Sequence, residues 1–434
     1  MKQNHKLLAV FLFLSFILAG CSTQKSTDTE SMQNSSVSST EAAAGTEAAA
    51  GQEITRCVPA TASGYYSSDV YFPSSKNITY VDFASQTETF LCAQPNCAHN
   101  TIACPSYYPD NGTTQVSGVQ VAGNWLLVLQ CVATEQGPAH IDKLSLDGGS
   151  KSQLIAFGAN QSLPGDQIEI EYYTDGDSLY FILSDIDRST TTTRCSLVRV
   201  LLSDGTLETI HKFESASCQV NLCGASGRKL LYHFVDIQSV QDVADSYGSI
   251  DVDSGEMEQL PYTLTDTFGV EIRDDNLYGI DFTAHSVFCR NITADQQIDC
   301  SFADLYAQVT SQYGDNVAEY VLPLRYSNHA CMIEYSVFGG ETSGSQLDYI
   351  LDLETGETMP FTLYKSYNQT VMQIVAPVGD DSVLIQKDWR CVSVDSEDGS
   401  TYDLYLPEWA IVPMADYLRS DLSAAKTIQP ISLF

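Results

Sequence analysis

Basic residues are scarce in this chain: 21 Lys and Arg stand against 55 Asp and Glu over 434 residues, a formal charge of −34. Such a surface repels nucleic acid and anionic lipid headgroups, so nucleic acid is excluded as a partner. An acidic surface also keeps an exported protein soluble, which makes a cationic ligand the weaker reading of the charge. No apolar run reaches the roughly 20 residues that a membrane-spanning helix needs. Also missing are a His-Glu-x-x-His pair, a Gly-x-Ser-x-Gly elbow, a phosphate-cradling loop and a Rossmann glycine fingerprint, which removes the commonest hydrolase and nucleotide chemistries. Gly224-Ala225-Ser226-Gly227 falls one residue short of the elbow and reads as a turn before a strand. Helical periodicity is nearly absent, so the expected class is all-β.

What is present begins at the N-terminus. A basic flank (Lys2, Lys6) precedes an apolar run from Leu7 to Leu14 that resumes after Ser15 and ends at Leu18-Ala19-Gly20-Cys21. These are the parts of a cleaved secretory signal. Leu18-Ala19-Gly20-Cys21 resembles the lipobox of bacterial lipoproteins, which implies cleavage between Gly20 and Cys21 and diacylation of the Cys21 thiol; two acyl chains suffice for stable anchoring. The alternative is an ordinary signal peptide with a chance cysteine. From Ser22 to about Glu53 the chain is Ser, Thr, Gln, Glu, Ala and Gly, too poor in apolar bulk to offset its ordering entropy, and it reads as a flexible stalk. The expected organisation is a signal peptide over 1–20, a lipidated cysteine and stalk over 21–53, and a folded domain over 54–434 with a closing strand or strap from about residue 406.

Within the folded part, a polar turn followed by an apolar, often aromatic strand recurs seven times, at Asp69, Asn124, Asp177, Arg228, Asp275, Asn328 and Asp381, about 47 to 55 residues apart. A second landmark follows most of these: an alternating strand and a tight turn, as in Lys143–Gly148, Val200–Gly205, Ser249–Gly255 and Ile350–Gly356. Two landmarks at a fixed distance describe about four antiparallel strands per repeat. A ring of such sheets is a β-propeller, expected here with seven blades, six or eight being the neighbouring solutions. Two sandwiches would not require one period along the whole chain.

Tyr80-Val81-Asp82-Phe83, the run Leu91-Cys92-Ala93-Gln94-Pro95-Asn96-Cys97-Ala98-His99 with Cys104, and Ala410–Tyr417 resemble segments of poorly characterised β-propeller lipoproteins of Gram-positive anaerobes, including gut Clostridia. That resemblance implies a fold and an extracytoplasmic, lipid-anchored location. It implies no activity.

Twelve cysteines remain after Cys21. Cys92, Cys97, His99 and Cys104 are a sufficient donor set for a structural tetrahedral zinc, without the two-residue knuckle of common zinc sites. Outside the cell the same thiols would more readily pair as disulfides, which is the leading expectation with zinc as its alternative, and an unligated cluster is the third. No other cofactor is expected. Cys289 and Cys300 flank Ala294-Asp295 symmetrically and are expected to face each other as a disulfide across a hairpin. Cys218 and Cys223 are a second candidate pair, closing a small loop. Cys195 and Cys391 read as core residues.

The mature histidines are scattered among the repeats, the acidic turns read as hairpin chemistry rather than calcium loops, and the aromatic pairs Tyr65-Tyr66, Tyr107-Tyr108 and Tyr172-Tyr173 read as packing. No catalytic residue stands out. The leading expectation is a non-catalytic binding module at the cell envelope, its ligand a wall glycan, a peptide or another envelope protein. The rivals are a polysaccharide lyase or hydrolase with carboxylates, His and Tyr meeting at the propeller mouth, and a scaffold subunit of an envelope complex.

Overall fold

The computed structural model describes residues 52–432, apart from 73–74, 110–115, 134–136, 165–171, 191, 216, 240–241, 262–267, 274–275, 292–295, 315, 328, 339–343 and 396–400. Gly20, Cys21 and most of the stalk lie outside the described residues.

Seven antiparallel sheets follow one another along the chain. In blade 2 the strands Gly118–Ala122, Trp125–Gln130, His140–Ser145 and Lys151–Ala156 pair in sequence order. Blade 1 spans residues 60–109, blade 3 173–212, blade 4 218–259, blade 5 268–301, blade 6 317–361 and blade 7 373–427. The fold is a seven-bladed β-propeller, with Thr55–Arg56 added from the N-terminal side to the axial edge of blade 3. The first strands of blades 4, 5 and 6 are neighbours, which puts the first strand of each blade at the axis.

Six of the seven apolar landmarks open second strands, whereas at the first Asp69 lies inside the second strand of blade 1, Gly64–Phe72, whose turn is at residues 62–63. Such a strand lies between two blades and is covered on both faces, so it reads as a continuous apolar run instead of an alternation. In blade 2, Leu126 and Val128 pack towards blade 1 with Tyr66, Ile78 and Leu91. Leu127 and Leu129 pack the other way, with Leu179, Phe181 and Val198 of blade 3. The second landmarks are the turns between third and fourth strands. Gly148, Gly205, Gly255 and Gly356 all take positive φ there, as a tight hairpin requires. At Gly148 a side chain would also strike the blade 1 backbone, 2.5 Å from Leu91 O.

Closure uses both ends of the folded part. The incoming segment crosses the axial side of four blades: Ile54 N donates to Gly227 O, Thr55–Arg56 pairs with Tyr173–Thr174, Val58 bridges Val121, and Ala60–Thr61 becomes the first strand of blade 1. The outgoing segment leaves blade 7 at Lys426–Thr427 and runs on to the outer edge of blade 1, where Gln429 exchanges backbone bonds with Gln86 and Glu88. The strap therefore begins near residue 426, and residues 406–413 belong to the long third strand of blade 7, Thr401–Pro413. A helix, Ala303–Tyr313, links blades 5 and 6 and packs Leu305 and Val309 into their core.

Candidate functional site

All turns between first and second strands and between third and fourth strands emerge at one end of the ring. Hairpins between second and third strands, and the links between blades, emerge at the other. In blades 7 and 4 the second kind is long: blade 7 carries Ser382–Asp395 and Thr401–Pro413, and blade 4 carries Lys229–Ser239 and Asp242–Asp251. Among the described residues ten large hydrophobic side chains are exposed, and five of them (Val132, Ile237, Phe338, Tyr367 and Tyr405) lie on this hairpin face, from blades 2, 4, 6 and 7 and the link between 6 and 7. Tyr320 and Leu322 lie on the innermost strand of blade 6, and Leu207 and Met257 begin outer strands.

Blade 7 shows how the face is built. Its ladder shifts register between Gln386 and Asp388, and the displaced Asp388 carboxylate accepts from Ser366 N and Tyr367 N, each at 3.2 Å, and from Ser366 Oγ. The link between blades is thus pinned to the hairpin. That clamp sets Tyr367 against Tyr405, ring centroids 5.0 Å apart, while Tyr405 pairs with Cys391 and Trp389 with Pro407 on the same side of the hairpin. Cys391 is exposed, not a core residue. Below the clamp Lys365 is buried and donates to Gln386 Oε1 at 2.7 Å, and Lys76 of blade 1 is buried and donates to Val116 O at 2.6 Å. Burial raises the Asp69 carboxyl above its ordinary value, against the hydrogen bond from Ser67 and the pull of Lys76 and Lys365.

The histidines do not converge. His140 pairs with Gln130 in blade 2, His211 packs edge-on to Phe213 in blade 3, and His233 stacks on Tyr247 in blade 4. His285 stacks on Tyr306 beside Glu319, and His329 meets Glu354 at the surface. A shallow concavity of about 240 Å³ on blade 5, lined by residues including Asp281, Asp299 and Cys300, is below the usual size of a small-molecule pocket.

His99 sits elsewhere, in a loop that interrupts the outer strand of blade 1. Thr87–Phe90 and Tyr107–Pro109 both pair with Ser75–Asp82. Ile78 accepts from Leu91 N and donates to Ser106 O, so the two halves of the broken strand meet at one residue and the intervening chain loops out and back. There the four residues Cys92, Cys97, His99 and Cys104 converge, all donor atoms within 4.8 Å of one another. Asn96 and His99 take positive φ, which folds the loop tightly enough for this. His99 is held by stacking on Phe90 at 4.4 Å and by Asn77 Nδ2, which donates to its backbone O at 2.9 Å. Burial pushes the Cys92 thiol up to about 12 and lowers His99, favouring the neutral imidazole. Burial also opposes ionisation of Cys104, but hydrogen bonds from Ser106, Cys92 and Cys97 outweigh it and hold Cys104 below the ordinary thiol value.

The paired-cysteine expectations fail. Among the described residues no two cysteines are bonded. Cys289 lies opposite Ile298 and Cys300 opposite Val287, so the two are diagonal rather than facing: the register of blade 5 centres its hairpin one residue earlier than the Ala294-Asp295 symmetry implies. Cys218 and Cys223 lie in one extended strand, Cys218–Ser226, whose rise of about 3.3 Å per residue carries them too far apart to bridge. Cys195, not Cys223, is the neighbour of Cys218: its Sγ lies 3.4 Å from Cys218 O, across the interface of blades 3 and 4.

No family model and no curated protein matches the chain. Solved structures match in fold only. An oligogalacturonate lyase from Vibrio parahaemolyticus is 9% identical, with a TM-score of 0.44, over 84% of this chain and 98% of that one. The β-propeller domain of the Trilobed protease from Pyrococcus furiosus is 10% identical, with a TM-score of 0.42, over 87% and 98%. TolB from Acinetobacter baumannii is 10% identical, with a TM-score of 0.35, over 85% and 77%. What this chain shares with them is the propeller.

Proposed function

We propose that this chain is a lipid-anchored, extracytoplasmic propeller that binds an envelope ligand, a glycan, peptide or protein, through its hairpin face and does no chemistry on it. The observation that carries this reading is the exposed Tyr367–Tyr405 pair, ring centroids 5.0 Å apart, held on that face by the Asp388 clamp, where loops on a rigid ring are best placed to make contact. The dispersal of the histidines over separate blades supports binding over turnover. The best support for the rival, polysaccharide cleavage, is the group Asp69, Lys76 and Lys365, but both lysines are already engaged by neighbouring acceptors.

A glycan and peptide screen on the full chain in detergent, with product analysis on every hit, tests the reading. A hit is expected to bind without being converted, and the double variant Tyr367→Ala, Tyr405→Ala is expected to weaken it at least tenfold, about 1.4 kcal/mol. Turnover of a hit would establish the enzyme reading. Unchanged affinity in the double variant would move the site off this face.

The anchor is tested separately. Wild type is expected to incorporate an alkyne palmitate analogue and to sediment with membranes, and Cys21→Ser to do neither while folding normally. Labelling that survives in Cys21→Ser removes the anchor from the proposal.

A further inference from the structure

We propose that Cys92, Cys97, His99 and Cys104 bind one zinc ion that holds the outer-strand insertion of blade 1 in shape and fastens it to blade 2. The insertion cannot hold itself. Of residues 91–106 nine are exposed, and its buried apolar side chains are limited to Leu91, Cys104 and Pro105. A stretch without a core needs a covalent or metal cross-link to fix one conformation.

The geometry favours the metal over a disulfide. Tetrahedral zinc with bonds of about 2.3 Å to sulfur and about 2.0 Å to nitrogen spaces its donors roughly 3.5 to 3.8 Å apart. His99 Nδ1 lies 3.4 Å from Cys104 Sγ, and the whole set falls within 4.8 Å. A disulfide would consume two of three sulfurs and leave a thiol and an imidazole pointing inward with nothing to join.

Each sulfur is also bonded by the residue two positions on. Gln94 N donates to Cys92 Sγ and His99 N to Cys97 Sγ, each at 3.4 Å, and Ser106 Oγ lies 3.1 Å from Cys104 Sγ. Donors aimed at sulfur stabilise thiolate, the ligand form, and fix its direction. Three thiolates and one neutral imidazole around a dication carry a net charge of −1, and binding releases three thiol protons. Lys151 of blade 2 lies close enough for its charge to act on Cys104, donates to Tyr107 O at 3.1 Å and sits 3.3 Å over the Tyr108 ring. Shared with the Asp142 carboxylate, it supplies a compensating cation from the neighbouring blade. On the same side, Ala93 N donates to Gly148 O at 3.3 Å. Three sulfurs with one imidazole select a soft or borderline ion and exclude calcium and magnesium.

Elemental analysis of the full chain, purified without chelator under anaerobic conditions, is expected to give about one zinc per molecule. Cobalt replacement should give the visible absorption of a tetrahedral thiolate site. Cys97→Ser should lose more than nine-tenths of the metal and His99→Cys should keep it. In the wild type, Cys92, Cys97 and Cys104 should resist alkylation until a chelator is added, which should also open the loop to protease near the exposed Ile102. Because alkylation is read on unaltered protein, misfolding of a variant does not blur the result. Less than one-tenth equivalent of zinc after reconstitution, iron in its place, or a disulfide within the loop by mass spectrometry each overturns the proposal.

Discussion

Ending the chain at Ala425 is expected to lower its stability by about 3 to 6 kcal/mol, although only nine residues are lost. The deleted strap buries Ile428 and Ile431 almost completely, and burying an isoleucine is worth roughly 1.5–3 kcal/mol. The ladder between Lys426–Thr427 and Ala410–Ile411 goes with it, as do three further backbone bonds: Ile428 N to Trp409 O, and the exchange of Gln429 with Gln86 and Glu88. So does the acceptor of Arg390, whose Nη2 donates to Ile431 O at 2.8 Å. What remains is a seam between blades 7 and 1 held by Tyr65, Val81, Leu384 and Trp409, with Trp409 meeting Tyr65 edge-on at 5.3 Å. Glu88, buried at the same place, loses the Ile431 N–H that helps solvate it. Natural domains have only about 5–15 kcal/mol in hand, so the shortened ring should unfold at a much lower urea concentration. Ending instead at Ser432 should leave the midpoint unchanged. If the two truncations unfold alike, the seam closes without the strap.

The propeller was legible in the sequence because its most buried strands are also its most distinctive. A second strand such as Leu126–Leu129 is apolar on both faces, and a turn such as Asp147-Gly148 has a residue that only one geometry favours. First strands were illegible. They are short at the N-terminal end, as in Ala60–Thr61, and half-exposed elsewhere, as in Val317–Pro323. The helix Ala303–Tyr313 places Leu305, Tyr306, Val309 and Tyr313 on one face, but over only eleven residues, too short a run to stand out among the strands. The four metal donors could be named from their closeness in sequence, whereas their setting could not: nothing in the residues signals that they lie inside one strand's place in the sheet, or that Lys151 arrives from the next blade. The Cys289–Cys300 pairing failed on register, which the hairpin turn sets and a count of residues on either side of a guessed turn does not, and Cys218–Cys223 failed because both lie along one strand.

Stability is expected to rise as pH falls from 8 towards about 5, and to collapse only below about 4, so that the optimum lies on the acid side of neutrality. Five carboxyls with raised values drive the first limb, against His99, His211 and His233, whose neutral form burial favours and whose contribution is lost as pH falls through the ordinary imidazole range. Burial lifts Asp69, Glu88, Asp142, Glu319 and Glu334 above their ordinary ranges. A carboxyl whose value is higher folded than unfolded takes up its proton first in the folded chain. Its contribution is complete below the unfolded value and is lost as pH rises through the folded one. Protonation also relieves part of the repulsion within a chain of charge −34. The second limb has the opposite sign. Burial opposes ionisation of Asp175, but Tyr180 Oη at 2.7 Å and Arg228 Nη1 at 3.0 Å, with the backbone N–H groups of Ser178 and Asp177, hold it below its ordinary value. Arg228 likewise holds Asp253 down, through Nη2 at 2.7 Å. That stability is present above the unfolded carboxyl value, about 3.9, and disappears as pH falls through the folded one. Arg228 joins the turns of blades 3 and 4 and also donates to Gln52 O on the entering segment. Arg228→Met should therefore lower the urea midpoint at pH 5 to 8 and flatten the fall below pH 4, while leaving the rise between pH 8 and 5 in place. Urea midpoints measured from pH 3 to 8 on both chains check this. A wild-type midpoint that falls steadily from pH 8 downward would mean that the buried neutral imidazoles of His99, His211 and His233 outweigh the five carboxyls and would overturn the acid-side optimum, and an acid limb unchanged in Arg228→Met would place its origin outside the Asp175–Arg228–Asp253 group.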